Sequence, residues 1–319
     1  MVRIITIVTL SLLTLVQCAS PSRARFPFGS RPPSGSPVLI AVVGDLQRTG
    51  RFEVWREHNV IQGDLVKQIV AAKPNALILL GDLVWSGESK DEWKYFDRII
   101  RPVFRARIPT YPLYGNHEYI GDDDVGYQNL TSRFPIAKSR WYTTVTDSIA
   151  FVMLNTNFDE FSRDTAVKQL RWFKTRMRQF TADPSIRCIV VCGHHPPFTN
   201  SSIVQDEHIL KQYFVPIFQK SPKSRLWLSG HSHTYEHFRD QDKHFVVTGG
   251  GGGPRHFVYV DEPSRTHEDL YAGEAIRPFH YVTVQRSGSD LEVEMVPLAD
   301  QGAKGESFVI VPPSGLKEQ

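Results

Sequence analysis

Short apolar stretches of this sequence run straight into side chains that can hold a cation. Val42-Val43-Gly44 leads into Asp45, Leu79-Leu80-Gly81 into Asp82, and Leu113-Tyr114-Gly115 into Asn116 and His117. Val191-Cys192-Gly193 leads into His194 and His195, and Leu228-Ser229-Gly230 into His231 and His233. Carboxylates, one amide oxygen and neutral imidazoles form a donor set that suits Zn, Mn or Fe(II), and no thiolate stands at these positions. A carboxylate can bridge two cations, and two metals about 3.5–4 Å apart can clamp the attacking and leaving oxygens of an in-line displacement. Each element alone has an ordinary explanation. A Gly-Asp after a strand is usually a turn, Asn-His by itself carries nothing, and two histidines before Pro196-Pro197 can simply end a strand. His231 and His233 say more, because alternate residues on extended backbone project the same way. Together and in this order they are a strong signal of a metal-binding centre.

Chain-distant groups of this kind need a scaffold that delivers them to one edge. Residues 38–43, 76–80, 110–113, 150–154, 186–192 and 225–228 read as short apolar strands. Residues 60–72, 93–104, 164–180 and 206–218 have helical period, with Trp93, Phe96, Ile99 and Ile100 on one face. This alternation predicts an α/β fold with largely parallel sheets covered by helices. In such sheets ligands gather beyond the carboxyl ends of the strands, where the polar residues lie. Strands at 245–247, 281–285 and 291–296 close the chain without intervening helices, so a mixed or second sheet is expected. No internal repeat or compositional break divides residues 38–319, which read as one domain.

Bulk properties add limits. The chain has 319 residues, 41% hydrophobic and 11% aromatic, enough for a substantial core. A formal net charge of +3, with no long basic run or basic–aromatic interleaving, disfavours a nucleic-acid partner. Met1-Val2-Arg3 followed by the apolar stretch Ile4 to Val16 suits a signal peptide over residues 1–17, being too short to span a bilayer. Residues 18–37 read as a Pro-, Ser-, Gly- and Arg-rich linker. Cys18 resembles a bacterial lipidation site, although Gln17 stands where a small residue is usual; plain secretion is the alternative. Export is expected either way, to the periplasm, the outer surface or the medium. Cys188 and Cys192, four residues apart on one strand, would stand about 13 Å apart, too far for a disulfide, and read as core.

The ordered set Asp45, Gly81-Asp82, Gly115-Asn116-His117-Glu118, Gly193-His194 and Gly230-His231-Ser232-His233 resembles the motif series of the calcineurin-like metallophosphoesterases. Gly230 to Glu236 and Gly193-His194-His195-Pro196 look most like the purple acid phosphatase branch and its secreted bacterial relatives. The resemblance implies a four-layer α/β/β/α sandwich and hydrolysis of phosphate esters by a two-metal-activated hydroxide, with Fe, Zn or Mn as the metals. It implies that Asp82 bridges the ions, that Asp45 and His233 hold one, and that Asn116, His194 and His231 hold the other. It makes His117 the general acid or charge stabiliser.

Two positions depart from that pattern. Gln47 stands where many members have histidine, and is a weak ligand or a hydrogen-bonding neighbour. Trp85 stands where the purple enzymes have a tyrosine ligand, and its indole offers no oxygen. His195 and His237 are candidate substrate contacts. Residues 249–253 are all glycine, which suggests close backbone packing rather than a phosphate cradle, since the Lys and Ser/Thr of a P-loop are missing. Asp122-Asp123-Asp124 reads as a solvated loop rim. A phosphomonoesterase is the leading expectation. A phosphodiesterase, or a surface lipoprotein that binds phosphorylated ligands without turnover, are the alternatives.

Overall fold

The computed structural model describes residues 38–49, 60–299 and 301–313. The signal peptide, the linker and Cys18 lie outside the described residues. The chain forms two six-stranded sheets. The first runs β12 (Glu306–Ile310), β11 (Asp290–Pro297), β10 (His280–Ser287), β1 (Leu39–Val43), β2 (Ala76–Leu79), β3 (Thr110–Pro112). The second runs β4 (Tyr142–Thr146), β5 (Ile149–Met153), β6 (Cys188–Gly193), β7 (Ser224–Ser229), β9 (Lys243–Thr248), β8 (Tyr235–Asp240). In each sheet the central strands are parallel; β10, β11 and β12 join the first sheet antiparallel, and the edge strands β4 and β8 join the second antiparallel. The sheets are therefore mixed, as the closing strands of the sequence require.

Strand periodicity explains the layering. In β1, Ile40 and Val42 join Phe151, Met153, Val190 and Leu228 in a core between the two sheets, whereas Ala41 and Val43 face helices on the other side. α1 (Ile61–Ala71), α2 (Lys90–Ile99) and α3 (Arg101–Arg105) cover the first sheet with Leu65, Ile69, Trp93, Phe96 and Val103. α5 (Arg163–Ala182) and α6 (Val215–Lys220) cover the second with Phe173, Met177 and Phe218. The result is the expected α/β/β/α sandwich. Strands buried on both faces must be apolar throughout, which is why they read as continuous runs.

Four readings of the sequence change. The helix expected over 93–104 is two helices, because Pro102 has no N–H to donate and α3 restarts at Arg101. The helix expected over 206–218 is a π turn, Leu210–Phe214, followed by α6, with Pro216 at the start of the new helix. Asp122 is not a loop rim but caps α4 (Asp123–Arg133), accepting the Val125 N–H at 3.0 Å, with Asp123 and Asp124 in the first turn. Strands β4, β8 and β12 carry polar residues among their apolar ones and are absent from the apolar-run reading.

Candidate metal centre

β1, β2, β3, β6 and β7 all release their chains at the same end of the sandwich. Asp45, Asp82 and His231 each adopt a left-handed backbone just past a strand, with φ of 63°, 51° and 63°. Side-chain-bearing residues seldom do so, at a cost of about 1–3 kcal/mol each. Hydrogen bonds hold these turns. Glu118, buried beneath them, accepts the N–H groups of Asp82 (2.9 Å), Leu83 (2.8 Å) and Gly115 (2.7 Å). The His231 N–H donates to the Asp45 carboxylate at 3.1 Å. A Cβ on Gly115 would stand 2.0 Å from Asp82 Oδ1, so only glycine lets the third motif approach the second. The glycines from Gly249 to Gly253 serve the same purpose. Gly251 and Gly253 donate to the Gly44 and Asp45 carbonyls, and a Cβ on Gly249 or Gly253 would strike Ser232, Asp45 or the His233 ring.

The side chains then converge. One ligand atom each from Asp45, Asp82 and His194 lie within 4.8 Å of one another, and the same holds for His194, His195 and His231. His194 Nδ1 is 2.8 Å from the Leu80 carbonyl and must carry a proton to donate there. In the neutral ring Nε2 is then a lone pair, yet it faces Asn116 Oδ1 at 3.0 Å and Asp82 Oδ2 at 3.3 Å. His231 Nδ1 lies 3.2 Å from the same nitrogen, and electron-rich atoms so arranged suit a cation among them. Without a metal a proton takes that place. Burial lowers the affinity of the His194 ring for it, but the charge of Asp82 more than reverses this and pushes His194 up to about 9. His233 repeats the design. Its Nδ1 donates to the Pro254 carbonyl at 2.7 Å, leaving Nε2 toward Asp45 Oδ1 at 3.4 Å. Burial opposes a charge there too, and the hydrogen bond to Asp45 outweighs it, so His233 is raised.

Asp45 and Asp82 are 0% and 1% exposed, and two carboxylates so buried and so close are costly unless positive charge offsets them. Gln47 Nε2 lies 3.1 Å from His233 Nε2 and 3.4 Å from Asp82 Oδ2, while its Oε1 is buried without a partner. Turned end for end, the amide would put that oxygen toward the cluster, where a cation satisfies it. The donor set therefore fits divalent ions, and the His194 and His233 rings are each oriented by a carbonyl behind them, as ligating histidines usually are.

His117 stands at the mouth. Its N–H donates to Asp82 Oδ1 at 2.9 Å, and its Nδ1 donates to the Trp85 carbonyl at 2.7 Å, which leaves Nε2 for the cleft. Trp85 supplies no ligand oxygen; its ring packs 4.7 Å from that of His117. His195 is half-buried beside His231, with ring centroids 4.3 Å apart. His237 does not reach the site. Residues 235–240 form β8 rather than a loop, which carries His237 away, and its two ring nitrogens are engaged by Glu306 at 3.0 Å and His244 at 2.8 Å.

Sequence reasoning passed over Glu118 as a positioning group and missed Thr156 and His256. Burial, and after it the charge of Asp82, push Glu118 up to about 8. Thr156 follows β5, where an apolar strand again runs into polar residues, so the rule that found the other motifs also pointed there. His256 stacks 4.4 Å from His233 and accepts its backbone N–H, a contact no spacing announces.

A four-layer sandwich with carboxylates, an amide and imidazoles at the strand ends defines a metallophosphoesterase. The family model for calcineurin-like phosphoesterases matches residues 38–235, and the chain belongs to that family. The chain is 27% identical over 275 residues to tartrate-resistant acid phosphatase type 5 of the rabbit, Oryctolagus cuniculus, covering 77% of this chain and 79% of that protein. Its fold is similar to purple acid phosphatase from yellow lupin, Lupinus luteus, with a TM-score of 0.67, 16% identity and 86% of this chain covered. The match spans 54% of the lupin chain. It is also similar to GAP50, the anchor in the inner membrane complex of Plasmodium, at a TM-score of 0.66 and 13% identity, covering 87% and 89% of the two chains. The protein is a metal-dependent phosphoester hydrolase. Among the described residues, no helix is long and apolar enough to cross a membrane.

Proposed function

We propose that the chain is a phosphomonoesterase in which Asp82 would be shared by two divalent ions, drawn from Fe, Zn and Mn. Asp45 and His233 serve one ion, with the Gln47 oxygen beside them; Asn116, His194 and His231 serve the other. The observation that carries this reading is His194 Nε2, a lone pair aimed at Asn116 Oδ1 and Asp82 Oδ2. When bound, two such ions supply an activated water and neutralise phosphoryl charge.

The chain's own residues do the rest. Leu80 and Pro254 hold the His194 and His233 rings by their carbonyls, so neither can turn its lone pair away. The backbone N–H of His117 fixes the Asp82 carboxylate. His117 Nε2, with Nδ1–H held by the Trp85 carbonyl, faces the mouth, and as the imidazolium it can give a proton or a hydrogen bond to the leaving oxygen. Such chemistry depends chiefly on positioning and charge stabilisation. The acid phosphatase names of its relatives favour monoesters. Trp85 offers no phenolate, so the iron–phenolate colour of a purple enzyme is not expected. Export, with membrane attachment through a lipidated Cys18, is proposed from the N-terminal sequence alone.

The test is hydrolysis of p-nitrophenyl phosphate and of bis(p-nitrophenyl) phosphate by metal-stripped protein given back Zn, Mn or Fe(II). Metal-dependent turnover of the monoester, lost in Asp82→Asn and His117→Ala, is expected. Preference for the diester would make the phosphodiesterase reading correct, and failure to bind metal would sink the proposal.

A further inference from the structure

A one-sided charge lies away from the metal centre, on α5. This helix carries six basic residues against one acidic, a formal +5, where the whole chain carries +3. Arg171, Lys174 and Arg178 recur at the spacing of one helix face, and all three are exposed. Other helices pair their charges: Lys67 meets Asp64 on α1, and Lys94 meets Asp91 on α2. None of the six cations of α5 pairs with a carboxylate among the described residues. The helix dipole does not account for them. It favours cations in the last turn, where α5 has none, and the Asp183 carbonyl just beyond is met by Lys223 at 2.6 Å.

A cleft of about 400 Å³ opens beside this stripe, between α5 and α6. The exposed Lys174, Arg178 and Lys220 stand at its rim, Met177 and Ile217 line it, and no carboxylate does. Its two hydroxyls, of Thr181 and Ser221, bond each other at 2.7 Å. Cations around an apolar floor match an amphiphile with an anionic head. A single-stranded nucleic acid would stack its bases on aromatic faces, and no ring lines this cleft. The topology places it. α5 leads into β6 and α6 into β7, so both helices end where those strands begin, at the end of the sandwich opposite the metal centre. β1 begins at the same end, so residues 1–37 join the body there. We propose that this end docks on an anionic phospholipid membrane, with Lys174, Arg178 and Lys220 on lipid phosphates and Met177 and Ile217 against the apolar part of a lipid. The metal centre then faces away from the bilayer, toward soluble substrate. The proposal holds whichever phosphate ester the centre cleaves.

The test is co-sedimentation of the metal-loaded full chain with vesicles of phosphatidylglycerol and phosphatidylcholine in equal parts, and of phosphatidylcholine alone. The unmodified chain is compared with a triple variant, Lys174→Ala, Arg178→Ala and Lys220→Ala. A control triple, Lys67→Ala, Lys94→Ala and Arg105→Ala, removes the same charge from exposed positions on the helices of the first sheet. Each Lys or Arg near an anionic surface contributes about fivefold to binding, so the first triple should bind the anionic vesicles about 100-fold more weakly. The control should lose less than about fivefold. Added salt should weaken the unmodified chain far more than the first triple. All three proteins share one N-terminus, so binding through residues 1–37 cancels in the comparison. Turnover of p-nitrophenyl phosphate should be equal in the three and should persist on the vesicles. Equal losses in the two triples would reduce the effect to net charge and overturn the proposal, as would binding without preference for the anionic vesicles. Binding to a DNA duplex but not to vesicles, lost in the first triple, would make this face a nucleic-acid surface instead. Turnover abolished on the vesicles would refute the orientation. A chain with no turnover in solution would count against the phosphomonoesterase reading, while the vesicle comparison still decides this one.

Discussion

Replacing Glu118 tests whether the strained turns of the centre are held from beneath. Its Oε2 accepts the N–H groups of Asp82 and Gly115, and its Oε1 that of Leu83, all at 2.7–2.9 Å and all buried. A buried donor left without a partner costs about 1–3 kcal/mol. Glu118→Ala strands three such donors, and water entering the space offsets part of the cost, so we expect a loss of about 3–6 kcal/mol. Glu118→Gln is the sharper variant. Its single oxygen can keep the two donors on the Oε2 side, while its NH2 must face the Leu83 N–H, so one contact is lost and the cost should be about 1–3 kcal/mol. Urea unfolding followed by fluorescence gives both numbers, with an unchanged slope required for the comparison. Metal content should fall in the same order, because the Asp82 backbone is what Glu118 holds. A cost below about 1 kcal/mol for Glu118→Ala, or equal costs for the two variants, would refute the reasoning.

Other outcomes follow from the same geometry. His117→Ala should retain its metals and lose about 10²- to 10⁴-fold in kcat, measured with p-nitrophenyl phosphate after metal analysis. Gln47→His, which supplies an imidazole beside Asp45 and His233, should tighten metal binding by about tenfold in competition with a chromophoric chelator. Glu236 is buried with Thr199 and Asn200, and burial pushes it up to about 8 from an ordinary value of 4.5. A carboxyl raised in the folded state contributes stability below its unfolded pKa and loses it as pH rises through the folded one. Urea midpoints should therefore fall between pH 4.5 and 8, by up to roughly 4 kcal/mol in stability, and Glu236→Gln should flatten that decline. Cys188 and Cys192 are buried, and burial pushes Cys188 up to about 12 and raises Cys192 as well. Neither should react with a thiol reagent until the protein is unfolded.

The sequence by itself determined the fold class and the positions of the polar groups at strand ends. Strands such as β1 and β6 are buried on both faces and must be apolar throughout, and a helix face such as Trp93, Phe96 and Ile99 must repeat with the helical turn. Those constraints are local and survive in a one-dimensional string. The half-exposed strands β4 and β12 left a weaker trace, since half of their residues face water or a neighbour and are free to be polar. Only the tertiary structure decided what each polar group faces. His194 and His237 both read as site candidates in the sequence, yet one turns its lone pair to Asp82 and the other pairs with Glu306, more than sixty residues away. Glu118 beneath three N–H groups and Thr156 behind His195 are likewise long-range contacts. Hydrogen bonds between distant segments depend on how the sheets stack and where the turns bend, and no spacing along the chain encodes that.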